Sequence, residues 1–152
     1  MIPLSVPNIN GNEWKYVKDC LDTGWISSTG EYVNKFEKII QNYTGAKYAI
    51  ACMNGTAGLQ VSLKLAGVSS NDIVIAPNLT FVATLNSIKY SGAEIVLIDV
   101  FEDTWQIDID LLQKWLETNT KIIVNNGKKI TIEKSTKKKI GAIMPVYVLG
   151  RF

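Results

Sequence analysis

Apolar side chains recur along this chain with two different spacings, one helical and one extended. Trp14, Val17 and Leu21 recur every three or four residues after Asn10 and Glu13, which together resemble a capping box. Helical spacing predicts helices at Gly11–Leu21, Val33–Tyr43, Thr56–Leu65, Phe81–Tyr90 and Asp108–Leu116. Short β-rich apolar runs predict strands at Lys47–Cys52, Ile73–Ala76, Glu94–Ile98, Lys121–Val124 and Ile140–Val148.

Strands that alternate with helices across short loops predict a parallel sheet, because each right-handed crossover returns the chain to the same edge. We therefore expect an α/β fold with three layers, α/β/α, in which helices cover both faces of a mainly parallel sheet. Near the end, Asn125-Asn126-Gly127 followed by the alternating Ile130-Thr131-Ile132 predicts a β-hairpin. Ligands of such folds bind beyond the carboxyl ends of the strands.

The turn Asn54-Gly55-Thr56-Ala57, after the first predicted strand, is the best candidate for a ligand site. The first turn of a helix exposes unpaired N–H groups at the positive end of the peptide dipoles. Gly55 has no side chain to hold an anion away from these groups. A phosphate site is one interpretation, and an ordinary helix start at Thr56 is the other. The absence of a G-x-G-x-x-G turn argues against a dinucleotide.

Composition and charge narrow the classes of function. The 152 residues fit one domain, and 16 basic against 14 acidic residues create no field that would attract nucleic acid or an anionic membrane. The lysines between positions 128 and 139 are interpreted as a solvated cluster. The chain has no histidine, which excludes Ser-His-Asp catalysis, and Cys20 and Cys52 lack metal-site spacing. We find neither a signal segment nor a membrane-length apolar run, and expect a cytoplasmic protein without a metal.

A set of short motifs, in a fixed order, resembles one known family across nearly the whole chain. The segments are Ile2-Pro3-Leu4 with Pro7, Gly24-Trp25-Ile26-Ser27-Ser28, Phe36-Glu37, Tyr43-Thr44-Gly45-Ala46-Lys47-Tyr48-Ala49, Asn54-Gly55-Thr56-Ala57, Pro77-Asn78-Leu79-Thr80-Phe81-Val82-Ala83-Thr84 and Asp99-Val100. They resemble the DegT/DnrJ/EryC1/StrS sugar aminotransferases, which use pyridoxal 5′-phosphate (PLP) and have the aspartate-aminotransferase fold. The resemblance implies that residues 1–152 are the N-terminal portion of the PLP-binding large domain. Within it, 1–46 would hold two helices and a substrate loop, and 47–152 an incomplete α/β sheet core.

The resemblance also implies roles for individual residues. It assigns the cofactor to Gly55, Thr56, Ala57 and Phe81, and the nucleotide-sugar substrate to Trp25 and Ser27. Backbone N–H groups and the Thr56 hydroxyl would hold the cofactor phosphate, in agreement with the helix-start argument, and Phe81 would stack on the pyridine ring. From the residues alone two alternatives stay open, with Phe81 as a core residue and Trp25 as a hydrophobic plug between helices.

The sequence departs from the family in ways that concern catalysis. A transaminase needs a Schiff-base lysine and an aspartate that pairs with the pyridine nitrogen, and in the family both lie downstream of Phe152. No lysine of this chain matches the catalytic position, so no catalytic residue is assigned. The family usually has His where Tyr147 stands.

The resemblance implies a homodimeric enzyme that moves an amino group, with glutamate as the expected donor, to a keto group on a nucleotide-linked deoxysugar. We expect this chain to be a truncated form that binds PLP weakly and is inactive alone. Two alternatives stay open: a non-catalytic fragment that binds PLP or a full-length partner, and a sugar dehydratase of the same family. Without the family, the residues predict only an α/β domain that binds a phosphorylated small molecule.

Overall fold

Every predicted helix is present, and two of them belong to a unit separate from the sheet. The computed structural model describes residues 2, 3 and 5–150, in two units, Met1–Ala51 and Cys52–Phe152. The helices are α1 (Glu13–Thr23), α2 (Glu31–Thr44), α3 (Gly55–Leu65), α4 (Val82–Tyr90) and α5 (Ile109–Asn119). The strands are β1 (Ile73–Pro77), β2 (Glu94–Ile98), β3 (Thr120–Asn125), β4 (Lys128–Glu133) and β5 (Ile140–Ile143). A turn follows at Val148–Gly150, with Leu149 at φ 56°.

Helices α1 and α2 make up the first unit. Each ends at a glycine in the left-handed conformation, Gly24 with φ 74° and Gly45 with φ 72°. A glycine at this position adopts positive φ without a steric penalty and stops the helix. The helix end predicted near Gly45 is therefore confirmed. No described residue of α1 or α2 is buried.

Three parallel strands of the second unit form a sheet in the order β2-β1-β5. Strand β1 lies in the middle, and all five of its residues are buried. A parallel strand that is buried on both faces needs helices above and below it. The parallel sheet predicted from the alternation of elements is confirmed.

Helices cover the two faces of this sheet. On one face Ala76 of β1 packs in a cluster with Leu63 of α3 and Ile88 of α4. On the other face Ile75 packs in a second cluster with Leu112 of α5. Burying a leucine or isoleucine side chain such as these contributes about 1.5–3 kcal/mol to stability. The second unit therefore has the predicted three-layer α/β/α arrangement.

Helices α3 and α4 lie side by side and end at the same edge of the sheet. Gln60 Nε2 of α3 donates to the carbonyl oxygen of Tyr90, the last residue of α4, at 3.3 Å. After the helices, Asn71 N donates to the carbonyl oxygen of Gly92 at 3.3 Å. These two loops lead into β1 and β2, so both helices end at the amino edge of the sheet. Both helices consequently begin at its carboxyl edge.

The strand predicted at Lys47–Cys52 is wrong. Residues 47–52 form no strand, and Ala51 N donates to Glu37 Oε1 of α2 at 2.8 Å. Extended backbone becomes a strand only where an adjacent strand supplies hydrogen bonds in register. The apolar run predicts extended backbone, but the adjacent strand has to come from elsewhere in the fold.

The last predicted strand is correct at its start and too long. Strand β5 ends at Ile143, five residues before Val148. Met144 N still donates to the carbonyl oxygen of Ile75, at 2.8 Å, and Pro145 follows. Proline has no N–H group to continue the hydrogen-bonded ladder. The sequence Pro145 to Val148 therefore leaves the sheet.

The predicted β-hairpin is confirmed. Strands β3 and β4 pair antiparallel over all six residues of each. Asn126 (φ 49°) and Gly127 (φ 74°) connect them, and positive φ at both positions defines a type I′ turn. At the base of the hairpin, Ile132 forms a bridge with Lys139, whose carbonyl oxygen accepts from Ile73 N at 2.7 Å. The hairpin base thus adjoins the amino edge of the parallel sheet.

Glu133, the last residue of β4, organises the turn that follows. Its carboxylate accepts from the hydroxyl and the N–H of Thr136, both at 2.6 Å, and from the Ser135 hydroxyl at 2.8 Å. These hydrogen bonds favour the charged form. They lower the pKa of Glu133 from 4.5 to about 2, with the Thr136 hydroxyl as the largest cause.

Candidate cofactor-binding site

Helix α3 begins at a turn that leaves two backbone donors available. The preceding residue, Asn54, caps the helix, because Ala57 N donates to its Oδ1 at 2.9 Å and Gly58 N to its carbonyl oxygen at 3.1 Å. The N–H groups of Gly55 and Thr56 have no acceptor among residues 2, 3 and 5–150. They lie at the positive end of the helix dipole, where an anion is stabilised.

The space in front of these donors is open. A Cβ placed on Gly55 would meet no heavy atom within 4 Å, and the residue does not have positive φ. Neither packing nor backbone conformation in this unit therefore requires a glycine. Gly55 is exposed, and Thr56 beside it is half-buried with its hydroxyl as a third donor. The turn fits a phosphate group, which accepts hydrogen bonds on several oxygens.

Phe81 immediately precedes helix α4 and is exposed at the carboxyl edge of the sheet. Its side chain is 78% exposed, and its carbonyl oxygen accepts from Thr84 N at 3.0 Å. The hydroxyl oxygens of Thr80 and Thr84 lie 2.8 Å apart and hold the same turn together. Phe81 is therefore not a core residue of this unit, which removes one of the two alternatives.

A cleft of about 530 Å³ lies beside Phe81. The cleft is lined by Leu79, Thr80, Phe81, Trp105, Val146, Tyr147, Val148 and Leu149. Its lining follows the ends of β1, β2 and β5, so the cleft lies where ligands of parallel sheets bind. Its volume is in the range of small-molecule sites. No lysine is among the described residues that line it.

Sequence reasoning missed one aromatic residue of this cleft and left another unassigned. No sequence motif marks Trp105, and the family motifs mark Tyr147 only as a departure from the usual His. The two side chains are 49% and 52% exposed. Position along the chain offers one signal for both residues: each follows the carboxyl end of a strand, as Phe81 does, and this is the edge where ligands bind.

In the first unit, Trp25 and Ser27 line one cleft of about 740 Å³. Trp25 is 63% exposed, so it does not act as a plug between α1 and α2. Tyr32 and Asp19 line the same cleft, and the Tyr32 hydroxyl donates to Asp19 Oδ2 at 3.0 Å. This hydrogen bond raises the pKa of Tyr32. The cleft combines an indole face with polar groups.

The described part of the chain lacks two other kinds of feature. Within it, no three His, Cys, Asp or Glu side chains lie close enough to share a metal ion. No helix there combines the length and apolar character that a membrane crossing needs. Cys20 is half-buried and Cys52 exposed, and neither takes part in a disulfide among the described residues.

Comparison with known proteins identifies the family. The DegT/DnrJ/EryC1/StrS aminotransferase family model matches residues 7–152. The chain belongs to this family. Among curated members, GDP-perosamine synthase from Caulobacter vibrioides is 42% identical over 123 residues, which cover 81% of this chain and 33% of that protein. The chain spans about a third of the length of the curated relatives it matches.

Solved structures of family members share the fold. The family aminotransferase from Brucella abortus has a TM-score of 0.72 and 28% identity, over 90% of this chain and 33% of that one. Spr1654 of Streptococcus pneumoniae, a sugar aminotransferase candidate solved in its PLP form, has a TM-score of 0.68 and 34% identity. That match covers 74% of this chain and 29% of Spr1654. The predicted fold class, part of a PLP-dependent transferase large domain, is confirmed.

Proposed function

We propose that this chain supplies the phosphate site and the ring-stacking side chain of a PLP-dependent aminotransferase that acts on nucleotide-linked keto-deoxysugars. Its family and the names of its relatives support the class of reaction. One observation carries the proposal: two open N–H donors begin α3 and an exposed aromatic ring begins the adjacent α4, both at the carboxyl edge of the sheet.

The phosphate is held by the start of α3. The N–H groups of Gly55 and Thr56 donate to phosphate oxygens, and the Thr56 hydroxyl adds a hydrogen bond to a charged acceptor. The N–H of Ala57 donates to Asn54 Oδ1 in this structure, so the phosphate and Asn54 compete for that donor. The role assigned to Ala57 therefore requires the Asn54 side chain to turn away.

The cofactor ring stacks on Phe81, which fixes its tilt relative to the phosphate. Such a stack contributes on the order of 1 kcal/mol beyond the buried area. When bound, PLP supplies an electron sink for moving an amino group between donor and acceptor carbons. We assign the sugar nucleotide to Trp25 and Ser27, glutamate as the amino donor, and a homodimer as the assembly. No residue of 1–152 is assigned the Schiff-base role, so the chain alone is expected to be inactive.

A calorimetric titration of the 152-residue protein with PLP tests this assignment. Thr56→Val removes a donor to a charged oxygen and is expected to weaken PLP binding by about tenfold. Thr118→Val is the matched control, because Thr118 is exposed on α5, on the other face of the sheet. Equal affinities for the two variants would contradict the phosphate site.

Borohydride reduction of the PLP complex tests the absence of the Schiff-base lysine. Reduction fixes any lysine bonded to the cofactor, and mass spectrometry then locates it. We expect no single lysine to be labelled, because no lysine lines the described cleft. Stoichiometric labelling at one lysine would show that the chain carries the Schiff-base residue.

A further inference from the structure

Three aromatic side chains surround one small cleft at the carboxyl edge of the sheet. Phe81, Trp105 and Tyr147 all line it, and they are 78%, 49% and 52% exposed. Exposed aromatic rings grouped around a cleft mark it as a contact surface for a ligand or for another protein segment. Rings arranged around a small volume favour a flat aromatic ligand, since they present faces and edges to it.

Tyr147 is held in place from both sides along the chain. On one side, Met144 N donates to the carbonyl oxygen of Ile75 at 2.8 Å, and the fixed φ of Pro145 follows. On the other side, Gly150 N donates to the carbonyl oxygen of Tyr147 at 3.0 Å and closes a turn. These bonds hold the backbone at Tyr147, and a side chain carried by a fixed backbone is suited to positioning a ligand.

The neighbouring phosphate site indicates which flat ligand the cleft receives. A phosphate ester on Gly55 and Thr56 lies at the start of α3, beside the start of α4, where Phe81 stands. A ring attached to that ester would therefore lie at the same edge of the sheet as the cleft that Phe81 and Tyr147 share. A flat ligand without a phosphate group would contact the cleft but not the N–H groups of Gly55 and Thr56.

We propose that Tyr147 is a second positioning residue for the cofactor, with its phenol ring forming a further wall of the cleft against the pyridine ring. The inference rests on the proposed function, because the ligand is PLP. It goes beyond that function by assigning a role to a residue outside the phosphate turn and outside α4. The wall is the aromatic ring, so the hydroxyl is dispensable.

Two substitutions at one position separate the ring from the hydroxyl. Tyr147→Leu removes the aromatic face and is expected to weaken PLP binding by about fivefold, whereas Tyr147→Phe keeps it and stays within about twofold of the unchanged protein. Inorganic phosphate, the second probe, binds the start of α3 alone, so its affinity should be the same in both variants. Urea unfolding of each variant confirms that the fold is kept.

A direct measurement does not depend on the folding of the Leu variant. In protein labelled at tyrosine, nuclear Overhauser contacts between a tyrosine ring and the methyl group of PLP are expected. Those contacts should be missing in Tyr147→Phe, which still binds PLP. Contacts that persist in Tyr147→Phe would place another tyrosine at the ligand and overturn the inference.

The outcomes distinguish this inference from the function on which it rests. If Thr56→Val and Phe81→Leu weaken PLP binding while Tyr147→Leu does not, the proposed function stands and Tyr147 is not a wall of the site. If Tyr147→Phe loses as much affinity as Tyr147→Leu, the ring-wall role is wrong. If the unchanged protein shows no PLP binding, or none of the three positions matters, the proposed function and the inference fail together.

Discussion

Replacing Asn54 with Asp tests the phosphate site by adding one charge with almost no change of shape. Asp caps helices as well as Asn does, so the side chain should still accept from Ala57 N, a contact of 2.9 Å. A negative charge also interacts favourably with the positive end of α3. We therefore expect the fold to keep or gain stability while PLP binding weakens.

The size of the effect follows from Coulomb's law. We assume that the new carboxylate stays on Ala57 N and that the phosphate is held by Gly55 and Thr56 alone. We take the two acceptors as about 5 Å apart, a distance at which two unit charges repel by about 0.8 kcal/mol in water. A phosphate ester carries about 1.5–2 negative charges at neutral pH. Asn54 and Gly55 are exposed, so the dielectric constant of water applies. The repulsion is then about 1.2–1.7 kcal/mol, or roughly a tenfold rise in Kd.

Calorimetry at low and high salt measures this effect. Asn54→Ser is the control, because serine caps the helix without a charge. The tenfold loss in Asn54→Asp should shrink as salt rises from about 0.1 to 1 M, where the screening length falls from about 10 to 3 Å. Pyridoxal, which has no phosphate, should bind the two variants equally. Unchanged PLP affinity at low salt would refute a phosphate at the start of α3.

Three further predictions concern stability. Because the pKa of Glu133 is about 2, the unchanged protein should be more stable than Glu133→Gln by the full amount above about pH 4.5, and this difference in stability should disappear as the pH falls towards 2. The same difference in melting temperature at about pH 6 and at about pH 2 would contradict this. Gly92→Ala should lower the free energy of unfolding in urea more than Gly67→Ala does. Both glycines have positive φ, but only at position 92 does the new Cβ lie 3.0 Å from the Cβ of Ser70. Equal losses of stability would be inconsistent with that contact. Ile88→Ala empties a fully buried site and should cost about 3 kcal/mol by the same assay, and a loss below about 1 kcal/mol would place Ile88 outside the core.

The elements that the sequence predicts well are those decided by neighbouring residues. The start of α3 depends on Asn54 and the hairpin turn on Asn126 and Gly127, all local signals. The segment 47–52 required an adjacent strand, which apolar spacing does not report. The end of β5 depends on the missing N–H of Pro145, which is visible in the sequence but is outweighed in the prediction by the apolar residues around it.

In the candidate site, too, features set by local geometry could be predicted, and features set by loops and rotamers could not. The open donors of Gly55 and Thr56 lie where a helix start was predicted, because helix geometry alone creates them. Trp105 lies in a loop with φ of 59°, and no periodic pattern marks such a position. The competition between Asn54 and a ligand for the Ala57 N–H depends on a side-chain rotamer. The roles of these residues towards PLP stay predictions.

The β3–β4 hairpin offers a position at which the protein can be attached to a surface. Its base adjoins Ile73 at the amino edge of the sheet, whereas the aromatic cleft opens at the carboxyl edge. A biotin acceptor peptide inserted at the tip, between Asn126 and Gly127, would anchor the molecule to a sensor chip through an element that does not line the cleft. Association and dissociation of PLP could then be followed in real time with the residues that line the cleft left unmodified.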